Sequence, residues 1–183
     1  FMKKKTKIAF LDRDGVINQD SIHYIKNPNE WIPIPDSLES IARLNQHGFS
    51  VIIATNQSGI GRGLFDIETM NAINKKMLGL LSQVGGHIDA IFYCPHTDDE
   101  NCKCRKPKTG MLEEISARFN TNLKNIPAIG DARRDLEAYQ SIGAQPILVK
   151  TGKGKETLEN KLYPKNTWVF NNLSEVVDKI LKK

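Results

Sequence analysis

The chain has 183 residues, 39% hydrophobic and 26% charged, a balance that suits one folded domain over residues 1–183 and excludes disordered or fibrous material. No apolar run approaches the ~18–20 residues needed to cross a bilayer, and the basic start Phe1-Met2-Lys3-Lys4-Lys5 lacks the apolar stretch of a leader, so a cytoplasmic protein without a membrane partner is expected. The net charge of +5 fits an anionic small substrate as well as it fits nucleic acid.

Phe1, ahead of Met2, is set aside from fold reasoning. Residues 7–11 (KIAFL) read as a short buried strand. Residues 35–47 read as a helix, with Ile41 and Leu44 at helical spacing and Gly48 as a stop. Residues 49–54 (FSVIIA) are the second strand. Residues 66–84 form a helix, with Asp66 as its cap and a stripe of Met70, Ile73, Met77, Leu80 and Leu81. Residues 89–93 are the third strand, 109–119 a helix and 126–129 the fourth strand. A helix over 135–142 ends at Gly143, strands follow at 146–150 and 167–170, and a helix over 173–181 closes the pattern.

Strands alternating with helices imply right-handed crossovers and a mainly parallel sheet covered on both faces: a Rossmann-like three-layer α/β/α sandwich. The stretches after the first and third strands are too short for a large cap domain. In such sheets ligands bind beyond the carboxyl ends of the strands. Reactive side chains should therefore stand just after strands, and they do four times.

After the first strand comes Asp12-Arg13-Asp14-Gly15. Period-two alternation puts both carboxylates on one side if extension continues, and Gly15 permits a turn. Two such acids repel unless a cation or a shared proton intervenes, and a hard cation such as Mg²⁺ fits. One carboxylate can attack phosphorus while the other trades a proton. A plain surface turn is the alternative. After the second strand, Thr55 and Asn56 can donate to phosphate oxygens, and the glycines that follow let backbone N–H groups approach an anion. Arg105-Lys106 can grip and neutralise a phosphoryl group, or form an ordinary basic loop. Asp131 sits where it can complete a Mg²⁺ site; Asp135 either orients its neighbours or starts a helix.

The three cysteines all fall between positions 94 and 104, a poor disulfide framework. Cys94, His96, Cys102 and Cys104 have the spacing C-x-H-x₅-C-x-C, which suits a closed four-coordinate structural zinc site. Buried free cysteines, or a disulfide with one thiol left over, are the alternatives. Zinc there would stiffen the loop that carries Arg105 and Lys106.

Together D-R-D-G-V-I-N (12–18), T-N-Q-S-G-I-G-R-G (55–63), C-x-C-R-K-P (102–107) and G-D (130–131) resemble the haloacid dehalogenase superfamily of phosphohydrolases, over roughly residues 7–152. The resemblance implies Asp12 as nucleophile and Asp14 as general acid/base. Thr55 and Lys106 would steady the phosphoryl group. Mg²⁺ would be held by the Asp12 carboxylate, the Asp14 carbonyl and the Asp131 carboxylate. The loop beginning Y-C-P-H (93–96) is similar to that of the histidinol-phosphatase-related branch, which implies Zn²⁺ as a structural cofactor. That likeness further implies a small-molecule sugar phosphate as substrate, a heptose bisphosphate losing its C7 phosphate on the way to lipopolysaccharide core. Asn18, Asp20, Ser21, Ile22, His23, Asn56, Gln57, Ser58 and Arg105 would lie near the sugar or its second phosphate. Histidinol phosphate is the rival substrate. Nucleic-acid 3′-phosphate ends are a further one, without an evident aromatic stacking platform. One departure stands out: Ala132, followed by Arg133 and Arg134, occupies a place where the branch often carries lysine. With no heptad or exposed apolar helix, a monomer is expected.

Overall fold

The computed structural model describes residues 7–182. Its strands are β1 (Lys7–Leu11), β2 (Phe49–Asn56), β3 (Ala90–Cys94), β4 (Pro127–Gly130), β5 (Gln145–Val149) and β6 (Trp168–Phe170). They form one all-parallel sheet in the order β3-β2-β1-β4-β5-β6. The central strand β1 pairs with β2 from Lys7↔Phe49 to Leu11↔Ile53. Ile8, Ala9, Phe10 and Leu11 are all buried, as expected of a parallel strand covered on both faces.

The helices are α1 (Ser37–Gln46), α2 (Ser58–Gly61), α3 (Ile67–Gln83), α4 (Gly110–Phe119), α5 (Arg133–Ser141), α6 (Gly154–Asn160) and α7 (Leu173–Leu181). Alternation along the strands sorts the core into two layers. Ala9, Leu11, Val51 and Ile53 pack with Ile41 and Leu44 of α1, Ile73 and Met77 of α3, and Val176 and Val177 of α7. Ile8, Phe10, Ile52 and Ala54 face the other way, onto Met111, Leu112 and Ile115 of α4 and Leu136 and Tyr139 of α5. This is the three-layer α/β/α sandwich, without a large cap domain: between β1 and α1 lies only a short 3₁₀ turn, Pro28–Glu30, and two isolated bridges. No helix among the described residues is long and apolar enough to cross a membrane.

Several elements differ from the sequence pattern. β2 runs two residues past position 54, because Thr55 and Asn56 still pair with Tyr93 and Cys94. The glycine-rich stretch after it holds the short helix α2, and α6 has too weak an apolar stripe to be read. α5 begins at Arg133, ahead of position 135, since the Asp135 carboxylate accepts the Ala132 N–H (3.1 Å) at the helix start. Asp66 caps α3 as expected, accepting from the Thr69 N–H at 2.7 Å.

The chain winds outward from β1 in both directions, so the order reverses between β1 and β4. In an open α/β sheet that reversal leaves a crevice at the carboxyl ends. The Asp12 N–H donates to the Ile129 carbonyl (3.0 Å), tying the exit of β1 to β4 beside the crevice.

Candidate active site

A cavity of about 280 Å³ opens at this reversal, lined by Asp12, Asp14, Asp20, Ser21, Ile22, Tyr24, Ile25, Thr55, Asn56, Gln57, Ser58, Arg105, Asp131, Arg134 and Lys153. At its floor lies a buried cluster of charge. Lys106, wholly buried, places Nζ 3.3 Å from Asp12 Oδ1 and 2.8 Å from Asp135 Oδ1, and donates to the Ala54 carbonyl at 2.6 Å. Asp12, Asp131 and Asp135 each bring a carboxylate oxygen within 4.8 Å of the others. Three acids in such a space cannot all ionise freely beside one lysine. Burial, then the charges of Asp135 and Asp14, push Asp12 up to about 6 against the pull of Lys106 and Arg134. Asp131 is raised well above the usual range by burial, Asp135 and Asp12. For Asp135 burial works upward as well, but Lys106 and Arg134 outweigh it and hold the carboxyl below its ordinary value.

Asp135 is thus committed to Lys106 and the start of α5, which leaves Asp12 and Asp131 as the under-compensated pair. An oxygen-only, doubly acidic donor set of this kind fits a hard divalent cation. Gly15 and Gly152 make room for it: a Cβ on either would come within 2.0 Å or 2.2 Å of Asp131 Oδ2. Gly15 also sits at φ +85°, where only glycine is unstrained.

Asp14 stands differently. The strand ends at Leu11 and the chain bends at Arg13, so regular extension does not carry both acids as the alternation suggested. Its Oδ1 accepts from Arg13 Nε (3.0 Å) and Asn18 Nδ2 (3.0 Å), and its Oδ2 from Arg13 Nη2 (3.3 Å) and Gln57 Nε2 (3.0 Å). Burial alone would raise its pKa; the Arg13 guanidinium and these hydrogen bonds outweigh burial and keep it lowered. Gln57 Nε2 also donates to Thr55 Oγ1 (3.0 Å), so the Thr55 hydroxyl keeps its own proton to give.

Beside the cavity, Cys94, His96, Cys102 and Cys104 converge. Cys104 Sγ lies 3.0 Å from Cys94 Sγ, and Cys102 Sγ lies 3.6 Å from each of them. His96 Nδ1 is 3.5 Å from Cys94 Sγ and 3.3 Å from Cys104 Sγ. Thiolates held tetrahedrally about 2.3 Å from zinc stand roughly 3.8 Å apart, so these four atoms need only small outward shifts to close on an ion. The cysteines are free thiols, which removes the disulfide alternative. The Arg105 N–H points at Cys102 Sγ (3.4 Å), and the Arg105 side chain pairs with Asp98 of the same loop.

The family model "Polynucleotide kinase 3 phosphatase" matches residues 7–178. The D-glycero-beta-D-manno-heptose-1,7-bisphosphate 7-phosphatase of Bordetella bronchiseptica is 49% identical over 97% of this chain and 99% of its own. The enzyme of that name from Pseudomonas putida is 47% identical over 96% and 99%. A crystal structure of D,D-heptose 1,7-bisphosphate phosphatase from B. bronchiseptica, complexed with magnesium and phosphate, superposes with a TM-score of 0.95 at 49% identity, covering 96% of this chain and 98% of that one. The chain belongs to the heptose bisphosphate phosphatases of the haloacid dehalogenase superfamily. It is a phosphatase.

For this phosphatase fold, most residues singled out from sequence come together. Asp12, Asp14, Thr55 and Asp131 line the cavity, with Lys106 directly beneath. Asp20, Ser21, Ile22, Gln57, Ser58 and Arg105 form its walls. Asn18 does not reach it: wholly buried, it donates to Asp14 and to the Gln19 carbonyl. His23 is exposed outside the lining. Asn56 touches the cavity, but its amide is turned onto the Lys106 main chain. Arg133 pairs with Glu137 on the surface of α5, whereas Arg134 faces the cavity. Its Nε is buried without a hydrogen-bond partner among the described residues.

Tyr24, Ile25 and Lys153 were missed. Lys153 follows β5 and could have been found by the strand-end rule that found the other four clusters; its N–H donates to Asp131 Oδ2 at 2.8 Å. Arg13, between the two acids, was also passed over. Only the structure shows it wholly buried, spanning Asp14 and Asn74 Oδ1 (3.1 Å) of α3.

Proposed function

We propose that the chain is a Mg²⁺-dependent phosphomonoester hydrolase that removes the C7 phosphate of D-glycero-D-manno-heptose 1,7-bisphosphate through an aspartyl-phosphate on Asp12. The observation that carries this reading is Asp12 at the strand-order reversal, buried 3.3 Å from Lys106 Nζ and facing a polar cavity with further cations on its walls. The names of the relatives supply the sugar. The β anomer is the first choice, because the relatives at 46–49% identity carry it in their names. Its place is the supply of ADP-heptose for lipopolysaccharide, as a cytoplasmic monomer built from a single domain.

Asp12 attacks phosphorus in line and the bond from phosphorus to the sugar oxygen breaks, while Asp14, ionised beside Arg13 until the negative charge of the incoming phosphate lets it take up a proton from solvent, passes that proton to the sugar oxygen. Water then attacks the aspartyl-phosphate, returns a proton to Asp14, and frees Asp12 and inorganic phosphate. Lys106 holds charge against Asp12 throughout, and the Thr55 hydroxyl donates to a phosphoryl oxygen. The Asp12 and Asp131 carboxylates and the Asp14 carbonyl would hold Mg²⁺, which supplies charge neutralisation at the phosphoryl oxygens when bound. Cys94, His96, Cys102 and Cys104 hold structural zinc. Arg105, with Asp20, Ser21, Ile22, Gln57 and Ser58, meets the sugar and its second phosphate.

The description of the matching family model favours a second reading, a nucleic-acid 3′-phosphatase. Phosphate release decides: kcat/KM for α- and β-heptose 1,7-bisphosphate, histidinol phosphate and a 3′-phosphorylated oligonucleotide, with Mg²⁺ saturating. A heptose anomer preferred by about a hundredfold or more, some 2.7 kcal/mol, is expected. Preference for the oligonucleotide or for histidinol phosphate would overturn the substrate and leave the chemistry standing.

A further inference from the structure

Asn56 ends β2 directly opposite Cys94 in the β2–β3 ladder, and the next residue, Gln57, donates its N–H to the Cys94 carbonyl at 2.7 Å. Its side chain turns from the ladder to a segment fifty residues away. Asn56 Nδ2 donates to the Lys106 carbonyl at 3.0 Å, and Asn56 Oδ1 accepts the Lys106 N–H at 3.1 Å. Only one orientation of the amide satisfies both bonds, since the opposite one would face carbonyl to carbonyl and N–H to N–H. A reciprocal pair of this kind mimics a step of β-ladder and fixes a peptide in position and direction. The peptide fixed is that of Lys106, whose buried Nζ reaches Asp12, Asp135 and the Ala54 carbonyl.

We propose that Asn56 is a positioning residue for Lys106 rather than a contact for the substrate. The amide seats Lys106 from the β2 side, while Cys104, two residues earlier, anchors the same segment in the cysteine and histidine cluster. The Lys106 main chain engages both a donor and the acceptor of the amide, although Asn56 also touches the cavity. The proposal rests on the reading that Lys106 serves the transfer to Asp12. A shift of about 1 Å in a group so placed costs on the order of a hundredfold in rate.

The test is a double-mutant cycle read in kcat and KM for heptose 1,7-bisphosphate, with Asn56→Ala, Lys106→Met and the pair together. Asn56→Ala is expected to lower kcat by about tenfold to a hundredfold and to leave KM within about twofold. In the Lys106→Met background it should cost nothing further. Asn56→Asp, which keeps size and acceptor but sets a carboxylate oxygen against the Lys106 carbonyl, should lower kcat at least as far as Asn56→Ala with KM again little changed, and it carries the test if the alanine variant does not fold. A rise in KM at constant kcat would make Asn56 a substrate contact and overturn the proposal. So would a loss that simply adds to that of Lys106→Met. Full activity in Lys106→Met alone would instead remove the proposed chemistry, and the seat with it, which separates the two failures.

Discussion

The floor and the mouth of the cavity are built on opposite plans. At the floor, Asp12, Lys106, Asp131 and Asp135 are at most 5% exposed and held by strand ends, main chain and one another. At the mouth, Ile22 is 86% exposed, and Arg105 is held by an exposed acid, Asp98, of the cysteine and histidine loop. Burial makes each charge at the floor strong and each misplacement costly, because a buried charge is poorly screened. Loops at the mouth change shape at little cost to the fold, so selection among sugars or end groups belongs there. The chemistry can thus stay constant while the substrate differs.

The sharpest way to break this division is at the floor. Asp12→Asn keeps shape and removes the proposed nucleophile; phosphate release should fall by at least about a thousandfold in a variant that melts no lower than wild type. Retained turnover would refute the covalent route. The cysteine and histidine cluster lies between the two regions, and removal of the zinc it would hold should act through Lys106 without dissolving the sheet. Chelation, or Cys102→Ser, is expected to lower kcat by about tenfold to a hundredfold while far-ultraviolet circular dichroism keeps its helical signal. Purified enzyme containing no zinc, or one that loses zinc at no cost in activity, would sink that link.

The same contrast explains what could be read from sequence. Strand ends announce themselves, because a buried apolar run that stops at an acid, a threonine or a glycine has few structural reasons to do so. Asp12, Thr55 and Asp131 were legible for that reason, and so was the parallel sheet. The cysteines and histidine were legible from crowding and spacing alone. Side-chain commitments were not: nothing in T-N-Q-S shows that the Asn56 amide turns onto residue 106, or that Asn18 is a wholly buried donor. Those depend on which segment the fold brings alongside. The 3.6-residue phase of α5 separates Arg134 from Arg133, but its start at Arg133 had first to be known, and an alanine at the cap position gave no signal.

Arg134 sits where floor meets mouth. It lines the cavity with a buried Nε that has no hydrogen-bond partner among the described residues, within the field of Asp135, Asp12, Asp131 and Asp20. A guanidinium so placed suits the second phosphate of a bisphosphate better than the one being transferred. Arg134→Met should raise KM for heptose 1,7-bisphosphate by about tenfold and leave KM for p-nitrophenyl phosphate, which has no second phosphate, nearly unchanged. An equal rise for both would move Arg134 to the floor.

The smallest expected effect is on stability, and it isolates Asp12 from its role in turnover. Its folded pKa, about 6, stands above the ordinary 3.8. The folded state therefore holds that proton more tightly than the unfolded one, and Asp12 contributes stability that is complete below about pH 4 and lost once the pH has risen through about 6. Asp12→Asn has no such proton to lose. Over the interval from about pH 4.5 to about 7.5, the Tm of metal-free wild type should fall by a few degrees relative to that of Asp12→Asn. Mg²⁺ answers the ionised carboxylates as the proton did, so its addition should abolish the relative fall at the upper end of the interval and do little at the lower end, where protons compete for the same oxygens. Parallel Tm profiles without metal would mean that Lys106 and Arg134 neutralise Asp12 more fully than its burial beside Asp135 implies, and the floor would then be a balanced ion-pair cluster with no standing demand for a cation.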